Sequence, residues 1–529
     1  MIWYTLICFI KYERIQLKST IEINFSKDYY SMIINEVNVL SRQDITPLFT
    51  GVKEHAEQNP IQFHIPGHKK GTGMDPEFRH FIGENALSID LINIAPLDDL
   101  HHPHGIIKEA QELAAEAFGA DYTFFSVQGT SGAIMTMIMS VCGPGDKIIV
   151  PRNVHKSIMS AIIFSGATPI FIHPEIDPHL GISHGITLDS VERALESHPD
   201  AKGLLVINPT YFGISANLEA IVEVAHSYCI PVLVDEAHGV HIHFHDKLPL
   251  SAMQAGADMA ATSVHKLGGS MTQSSVLNVK EGLVSPKRVQ SIISMLTTTS
   301  TSYLLLSSLD VARKRLATDG EALIDHTIKL AQQTRARLNE IPGIRCVGSE
   351  ILGTKATYDM DPTKLIISIK KLSMNGYEVE NWLREHYKIE VELSDLYNIL
   401  CIVSLGDTEE KMEILVQALS ELAKTHQRSE SLEPKAVYVP NIPTLALSPR
   451  DAFYAETEVI RFDESAGRII AEFIMVYPPG IPILIPGEII SQENLAYIKE
   501  NLQAGLPVQG PEDATFNTLR VIKEHQAIK

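Results

Sequence analysis

Val232-Leu233-Val234-Asp235-Glu236-Ala237-His238-Gly239 is a short apolar run that ends in two acids and a small-residue turn. A β-branched run of this length, stopped by turn residues, predicts a strand buried on both faces. Working outward, similar runs recur at Lys147–Val150, Pro169–Ile172, Gly203–Ile207 and Ser275–Val279. Between them, Gly132–Val141, Val154–Phe164 and Leu218–Tyr228 carry helical spacing. Strand and helix in alternation predict an α/β fold, a mostly parallel sheet wrapped by helices. Right-handed crossovers put the carboxyl ends of the strands, and the ligands that bind there, on one edge. Asp235 falls on that edge.

The rhythm changes after the Thr/Ser-rich stretch Thr297–Ser302. Two helical segments, Tyr303–Leu316 and Glu321–Leu338, precede strand-like Lys364–Ile369, helix-like Val379–Glu385 and strand-like Leu400–Val403. This predicts a smaller α+β domain. The polar stretch Thr425–Lys435 reads as a linker. The expected division is therefore an N-terminal extension over 1–45, a large ligand-binding domain over 46–302, a small α+β domain over 303–430 and a C-terminal α+β domain over 431–529.

The chain has 529 residues, 45% hydrophobic and 20% charged, ordinary for a globular protein of several domains. Acidic residues outnumber basic ones, 64 to 44, for a net charge of −20. That balance argues against nucleic acid as a partner, since phosphate-backbone binding needs a basic surface. Five cysteines lie scattered without a CxxC pair, which fits a reducing cytoplasm better than a disulfide framework or a structural zinc site. Met1–Ile10 is apolar but too short to span a bilayer, and it lacks the flanks of a signal peptide. It reads as part of an extension without a catalytic role, with Met32 as an alternative start. No later run reads as a membrane span.

Three segments carry chemistry. Thr262-Ser263-Val264-His265-Lys266-Leu267-Gly268-Gly269 places a lysine just past the apolar stretch Met259–Ala261, beside hydroxyl, imidazole and glycine. An amine so placed suits Schiff-base formation, although an isolated lysine is commonly only a solvated charge. Asp235, one crossover upstream, suits pairing with a pyridinium nitrogen; the alternative is a capping acid. Gln128-Gly129-Thr130-Ser131-Gly132-Ala133 opens a helical segment, and a helix N-terminus rich in small and hydroxyl residues suits a phosphate monoester. A simple N-cap would look the same.

Together, and in this order, these segments resemble the fold-type-I pyridoxal-phosphate enzymes. Phe63-His64-Ile65-Pro66-Gly67-His68-Lys69-Lys70-Gly71, Asn153-Val154-His155-Lys156-Ser157 and Tyr477-Pro478-Pro479-Gly480-Ile481-Pro482 narrow the resemblance to the ornithine/lysine/arginine decarboxylases. It runs from about Thr46 to the C-terminus and is nearest to the short biosynthetic arginine decarboxylases.

The resemblance implies roles for particular residues. Lys266 would hold pyridoxal 5′-phosphate as a Schiff base, Asp235 would pair with its ring nitrogen, and His155 would stack on the ring. Gly129, Thr130, Ser131 and Ser263 would form the phosphate site. Asn208 would lie near the ring hydroxyl, with His238 and His265 lining the site. Thr299 and Ser300 would reach the phosphate of a partner subunit, which implies a homodimer or an assembly of dimers with shared active sites. The implied reaction is decarboxylation of a basic amino acid: the substrate amine displaces Lys266, CO2 departs, and Lys266 or a nearby histidine returns a proton to Cα. Arginine would give agmatine for polyamine biosynthesis; lysine and ornithine are the alternatives. No receiver-like domain is expected before the Phe63 motif, unlike in the longer family members.

Two further expectations come from the residues alone. His238, His241, His243 and His245 alternate, and on a strand the last three would share a face; with His101, His102 and His104 they raise the alternative of a metal-dependent hydrolase. A cationic substrate also needs a distal carboxylate. In Tyr454-Ala455-Glu456-Thr457-Glu458-Val459-Ile460, Glu458 is expected to supply it, because the apolar pair beside it suggests a nearby core. A solvated edge-strand acid is the competing possibility.

Overall fold

The computed structural model describes residues 42–428, 440–476 and 480–524. The expectations for Met1–Ile10, Met32, most of the Thr425–Lys435 linker and Tyr477-Pro478-Pro479 lie outside them.

Seven strands build the principal sheet: β1 Tyr122–Ser126, β2 Lys147–Pro151, β3 Thr168–Ile172, β4 Gly203–Ile207, β5 Val232–Asp235, β6 Met259–Thr262 and β7 Ser275–Val279. Their order is β1-β7-β6-β5-β4-β2-β3. Pairing is parallel from β3 through β6, and β7 is antiparallel to both β6 and β1. Two antiparallel steps restore direction, so β1 also ends on the edge where β2, β4, β5 and β6 end.

The central strands are mostly apolar because both faces are covered. Residues alternate between them: Leu205, Leu233 and Leu277 pack on one side with Ile134, Met137, Ile158 and Ile162. Leu204, Val206, Val232 and Val234 pack on the other with Leu195, Ile221 and Val222. The first set of helix residues comes from α1 Gly129–Val141 and α2 Lys156–Ser165, close to the spans expected. The mostly parallel α/β fold is therefore as expected. β1 is an addition, an antiparallel edge strand whose Tyr-Thr-Phe-Phe-Ser sequence lacks the aliphatic run of its neighbours.

The two helical segments after Ser302 are a single helix, α4 Tyr303–Asn339, joined through Gly320; α3 is the short helix Val264–Leu267. A Cβ at Gly320 would sit 3.3 Å from Phe244 Cβ. That glycine reflects close packing, not a chain break. A four-stranded sheet follows, built from β8 Arg345–Cys346, β9 Lys364–Ser368, β10 Leu393–Ser394 and β11 Asn398–Ile402 in the order β10-β11-β9-β8. Further along, β12 Thr457–Arg461 pairs with Thr518–Ile522. Ile470, Ile474, Leu484, Ile498 and Val521 form a core there.

Candidate active site

The carboxyl edge of the principal sheet gathers the expected residues. Asp235 is the last residue of β5, Asn208 follows β4, Ser263 follows β6, and His155 lies beyond β2 at the start of α2. Lys266 sits in α3, one short turn past β6.

Asp235 is 6% exposed, and its carboxylate accepts a hydrogen bond from the backbone N–H of Ala237, 3.2 Å. Burial, opposed by that bond and by the Lys266 charge, pushes its pKa up to about 6. Glu236 is buried too, accepting from Ala252 N and the Thr262 hydroxyl, and is pushed up to about 7 by burial. Asn208 accepts from Ala216 N through Oδ1, while its Nδ2 is buried without a partner.

At the start of α1, the Thr130 hydroxyl bonds Ser263 and lies 3.0 Å from the Ser275 hydroxyl. The helix has no side-chain cap. Gly129, at φ +67°, has open space where a Cβ would project, so the backbone can be approached closely there. Ser131 is half-buried. His155 caps α2: its Nδ1 lies 2.7 Å from the Ser157 hydroxyl and accepts from Ser157 N, which fixes the ring plane. Burial and the nearby Lys266 charge hold His155 below the ordinary imidazole value. His265 lies at the rim, its Nδ1 2.8 Å from the Ser274 carbonyl.

Lys266 Nζ lies 2.8 Å from His238 Nε2. Burial lowers the pKa of this amine, against the pull of Asp235 and Glu392. The Tyr211 ring leans on the His238 ring, centroids 4.3 Å apart, and the Tyr211 hydroxyl donates to Glu392. Behind His238 stands Lys364, with its Nζ 3.4 Å from Nδ1. Tyr211, Lys364 and Glu392 were not anticipated as site residues. The available signal was a lysine opening an otherwise apolar strand, Lys-Leu-Ile-Ile.

These features suit a phosphorylated ring with a protonatable nitrogen. Asp235 is a buried acid, Asn208 Nδ2 is an orphaned donor, Thr130 and Ser263 are clustered hydroxyls, and burial lowers the pKa of the Lys266 amine.

Other expectations fare differently. Thr299 and Ser300 are exposed in the loop after helix Pro286–Leu296, and Ser300 N donates to Thr298 Oγ1. The histidine series does not lie on a strand. It runs through a turn and the 3₁₀ segment Ile242–Phe244, so the rings diverge. His241 bonds Asp361 at 3.0 Å, His243 the Ser251 hydroxyl at 2.8 Å, and His245 lies 3.6 Å from Asp325. His101 bonds the Thr298 carbonyl and His104 the His102 carbonyl. Among the described residues no group of three or more His, Cys, Asp or Glu is arranged to hold a metal. The hydrolase alternative is set aside.

Glu458 does lie on a strand, β12, but its carboxylate is engaged by Arg468 Nη2 at 2.6 Å, and Arg468 also bonds the Ile522 carbonyl. Val459 is 56% exposed, while Ile460 packs against the core formed by Ile470, Ile474 and Val521. Asp235 and, more weakly, Glu392 are the acids whose charge acts on Lys266.

Residues 46–411 match the major domain described for the Orn/Lys/Arg decarboxylases, and residues 433–506 match their C-terminal domain. The chain belongs to the Orn/Lys/Arg decarboxylase family. It is an amino-acid decarboxylase by that membership. It is 78% identical to a Halalkalibacterium halodurans protein named arginine decarboxylase, over 93% of this chain and 100% of that one. It is 73% identical to a Bacillus subtilis arginine decarboxylase, over 92% and 100%. The fold resembles the Escherichia coli constitutive lysine decarboxylase, with a TM-score of 0.78 at 21% identity covering 96% of this chain and 88% of that one. No helix among the described residues of this decarboxylase is long and apolar enough to cross a membrane.

Proposed function

We propose that the chain is a pyridoxal-phosphate-dependent arginine decarboxylase, converting L-arginine to agmatine and CO2 for polyamine biosynthesis in the cytoplasm. The observation that carries the substrate is the identity, 73–78% over nearly the whole chain, to relatives named arginine decarboxylase. The relatives named lysine decarboxylase are far more distant, at 28% or less.

Lys266 would hold the cofactor covalently and then exchange it for the substrate amine. Asp235 would keep a proton on the ring nitrogen, and His155 would cover the ring face. Gly129, Thr130, Ser131 and Ser263 would bind the phosphate, and Asn208 and His238 the ring's polar edge, with His265 at the rim. Bound there, pyridoxal phosphate supplies a sink for the electron pair left at Cα when CO2 departs. Lys266, beside His238, would return the proton to Cα. Glu392 would attract the cationic substrate.

A homodimer with shared sites is supported by the exposure of Thr299 and Ser300 and of large apolar side chains: Ile61 at 86%, Phe63 at 96% and Phe81 at 84%. We retain the domain limits 46–302, 303–430 and 431–529, with 1–45 as an extension.

The test is to offer L-arginine, L-lysine and L-ornithine separately to the purified holoenzyme and to measure CO2 and amine. Arginine is expected to have the highest kcat/KM; a higher value for lysine or ornithine overturns the assignment.

A further inference from the structure

Tyr211 links two parts of the molecule that the sequence keeps far apart. Its ring leans on the His238 ring, centroids 4.3 Å apart, and His238 Nε2 lies 2.8 Å from Lys266 Nζ. Its hydroxyl donates to Glu392, which stands just before β10. One phenol therefore joins the imidazole beside the cofactor lysine to an acid of the four-stranded sheet.

The backbone under Tyr211 is fixed. Thr210 N donates to the Ile214 carbonyl at 2.9 Å, Gly213 N to the Thr210 carbonyl at 2.8 Å, and Ile214 N to the Thr210 hydroxyl at 3.1 Å. These bonds close a tight turn that carries Tyr211. Gly213 takes φ +82° in it, and a Cβ there would meet Lys364 Cγ at 2.6 Å. The turn is stapled to the segment that leads into β9: Ile214–Ser215 pairs with Asp359–Met360, and Asp361 N donates to the Gly213 carbonyl at 2.8 Å. Glu392 belongs to the same sheet, its N–H donating to the Leu400 carbonyl of β11 at 2.9 Å. Both backbones are held on one frame, so the hydroxyl meets the carboxylate without a segment having to be ordered first.

The Glu392 side chain needs such a hold. Glu392 is exposed, and a long side chain in solvent keeps its rotamer freedom unless something restrains it. A carboxylate offers about four lone-pair positions. The Tyr211 hydroxyl takes one, which leaves lone pairs for a cation. Burial and the Glu392 charge push the Tyr211 phenol above its ordinary value, so it stays a neutral donor.

We propose that Tyr211 is a positioning residue for substrate recognition: its hydroxyl fixes the Glu392 carboxylate, so that the distal cation of the substrate meets an acid already oriented. This rests on the reading of Glu392 as the group that attracts the substrate. An arginine guanidinium gains most from an oriented acid, because its planar fork of donors matches a carboxylate held in a set plane. A lysine ammonium, a point charge with rotating donors, gains less.

The test is a double-mutant cycle in the holoenzyme, read by steady-state kinetics with L-arginine. Tyr211→Phe keeps the ring and removes only the hydroxyl. It should raise the arginine KM by about fivefold, the scale of one hydrogen bond, with kcat within about twofold of wild type. Glu392→Ala leaves nothing for the hydroxyl to hold. Adding Tyr211→Phe to it should therefore change KM by less than about twofold. A merely structural tyrosine would give the same rise in both backgrounds, and that result overturns the proposal. So does a KM change below about twofold for Tyr211→Phe alone, or a loss confined to kcat, which would assign the hydroxyl to the chemistry at Lys266. The underlying reading fails separately: arginine kinetics in Glu392→Ala that match wild type would remove Glu392 from recognition, whatever Tyr211→Phe does.

Discussion

Arg152 and Glu488 form a two-pronged ion pair, Nη1–Oε1 at 2.6 Å and Nη2–Oε2 at 2.8 Å, with both side chains 1% exposed. Arg152 follows β2 and stands three residues before His155. Its Nε and Nη2 also donate to the carbonyls of Pro482 and Ile483, and Glu488 accepts from Ile485 N. Every polar atom of the pair that faces the interior has a partner, which is the condition under which buried charges are tolerated. The pair fastens the C-terminal segment onto the strand that leads to the active-site edge.

Removing one partner leaves the other charge stranded. Glu488→Leu is therefore expected to cost about 3–5 kcal/mol of stability. Arg152→Met together with Glu488→Leu should recover much of that loss. Thermal unfolding of the two variants checks this. Equal melting temperatures for the single and double variants would show that the pair does not act as a unit.

Asp235 should trade stability for function. Its folded-state pKa, about 6, lies above the unfolded value. Its ionisation therefore weakens the cofactor-free fold progressively as the pH rises from about 4 to about 6, and in full above that. In cofactor-free protein, Asp235→Asn should be more stable than wild type at pH 7.5, by about 3 kcal/mol at most. The gain should vanish toward pH 4. The same variant should lose most decarboxylase activity, since an amide cannot hold a pyridinium proton. Equal stability at pH 7.5 would show that Asp235 is not strained by burial.

The sheet was readable because its strands are buried on both faces, and burial writes itself as uninterrupted Val, Ile and Leu. β1 escaped because an edge strand beside Asp121 and Gln128 needs no such run. The split expected near Gly320 failed because a glycine that admits Phe244 looks, in sequence, like a glycine that breaks a helix. Asp235 at the end of β5 and Lys266 one turn past β6 could be singled out from their flanks. Lys364, Glu392 and Tyr211 could not, because they converge from three distant segments and only the folded chain brings them together. For Glu458 a period of two gave the strand, but spacing cannot reveal the Arg468 beside it.

Shared active sites can be tested by complementation. Lys266→Ala and the double variant Thr299→Ala/Ser300→Ala should each be nearly inactive. If the loop crosses to a partner, mixed dimers rebuild one intact site, and unfolding and refolding the two together should return about a quarter of wild-type activity. No recovery in verified mixed dimers would place both functions within one subunit.

Glu392 accepts from Tyr211 and exerts its charge on both Lys266 and Lys364. Glu458 is neutralised by Arg468 in a half-exposed pair. Under the proposed function a cationic substrate entering beside Lys266 would feel the charge of Glu392, whereas that of Glu458 is taken up by Arg468. Glu458→Gln should leave the arginine KM and kcat within about twofold of wild type, well short of the 1.4 kcal/mol of a tenfold effect. Its melting temperature should change little, as expected for a pair open to solvent. Glu392→Gln should raise the KM or lower kcat by about tenfold, the scale of a lost charge-assisted contact. Steady-state kinetics at saturating cofactor separates the two. A tenfold KM rise in Glu458→Gln with Glu392→Gln unchanged would move substrate recognition to the C-terminal domain.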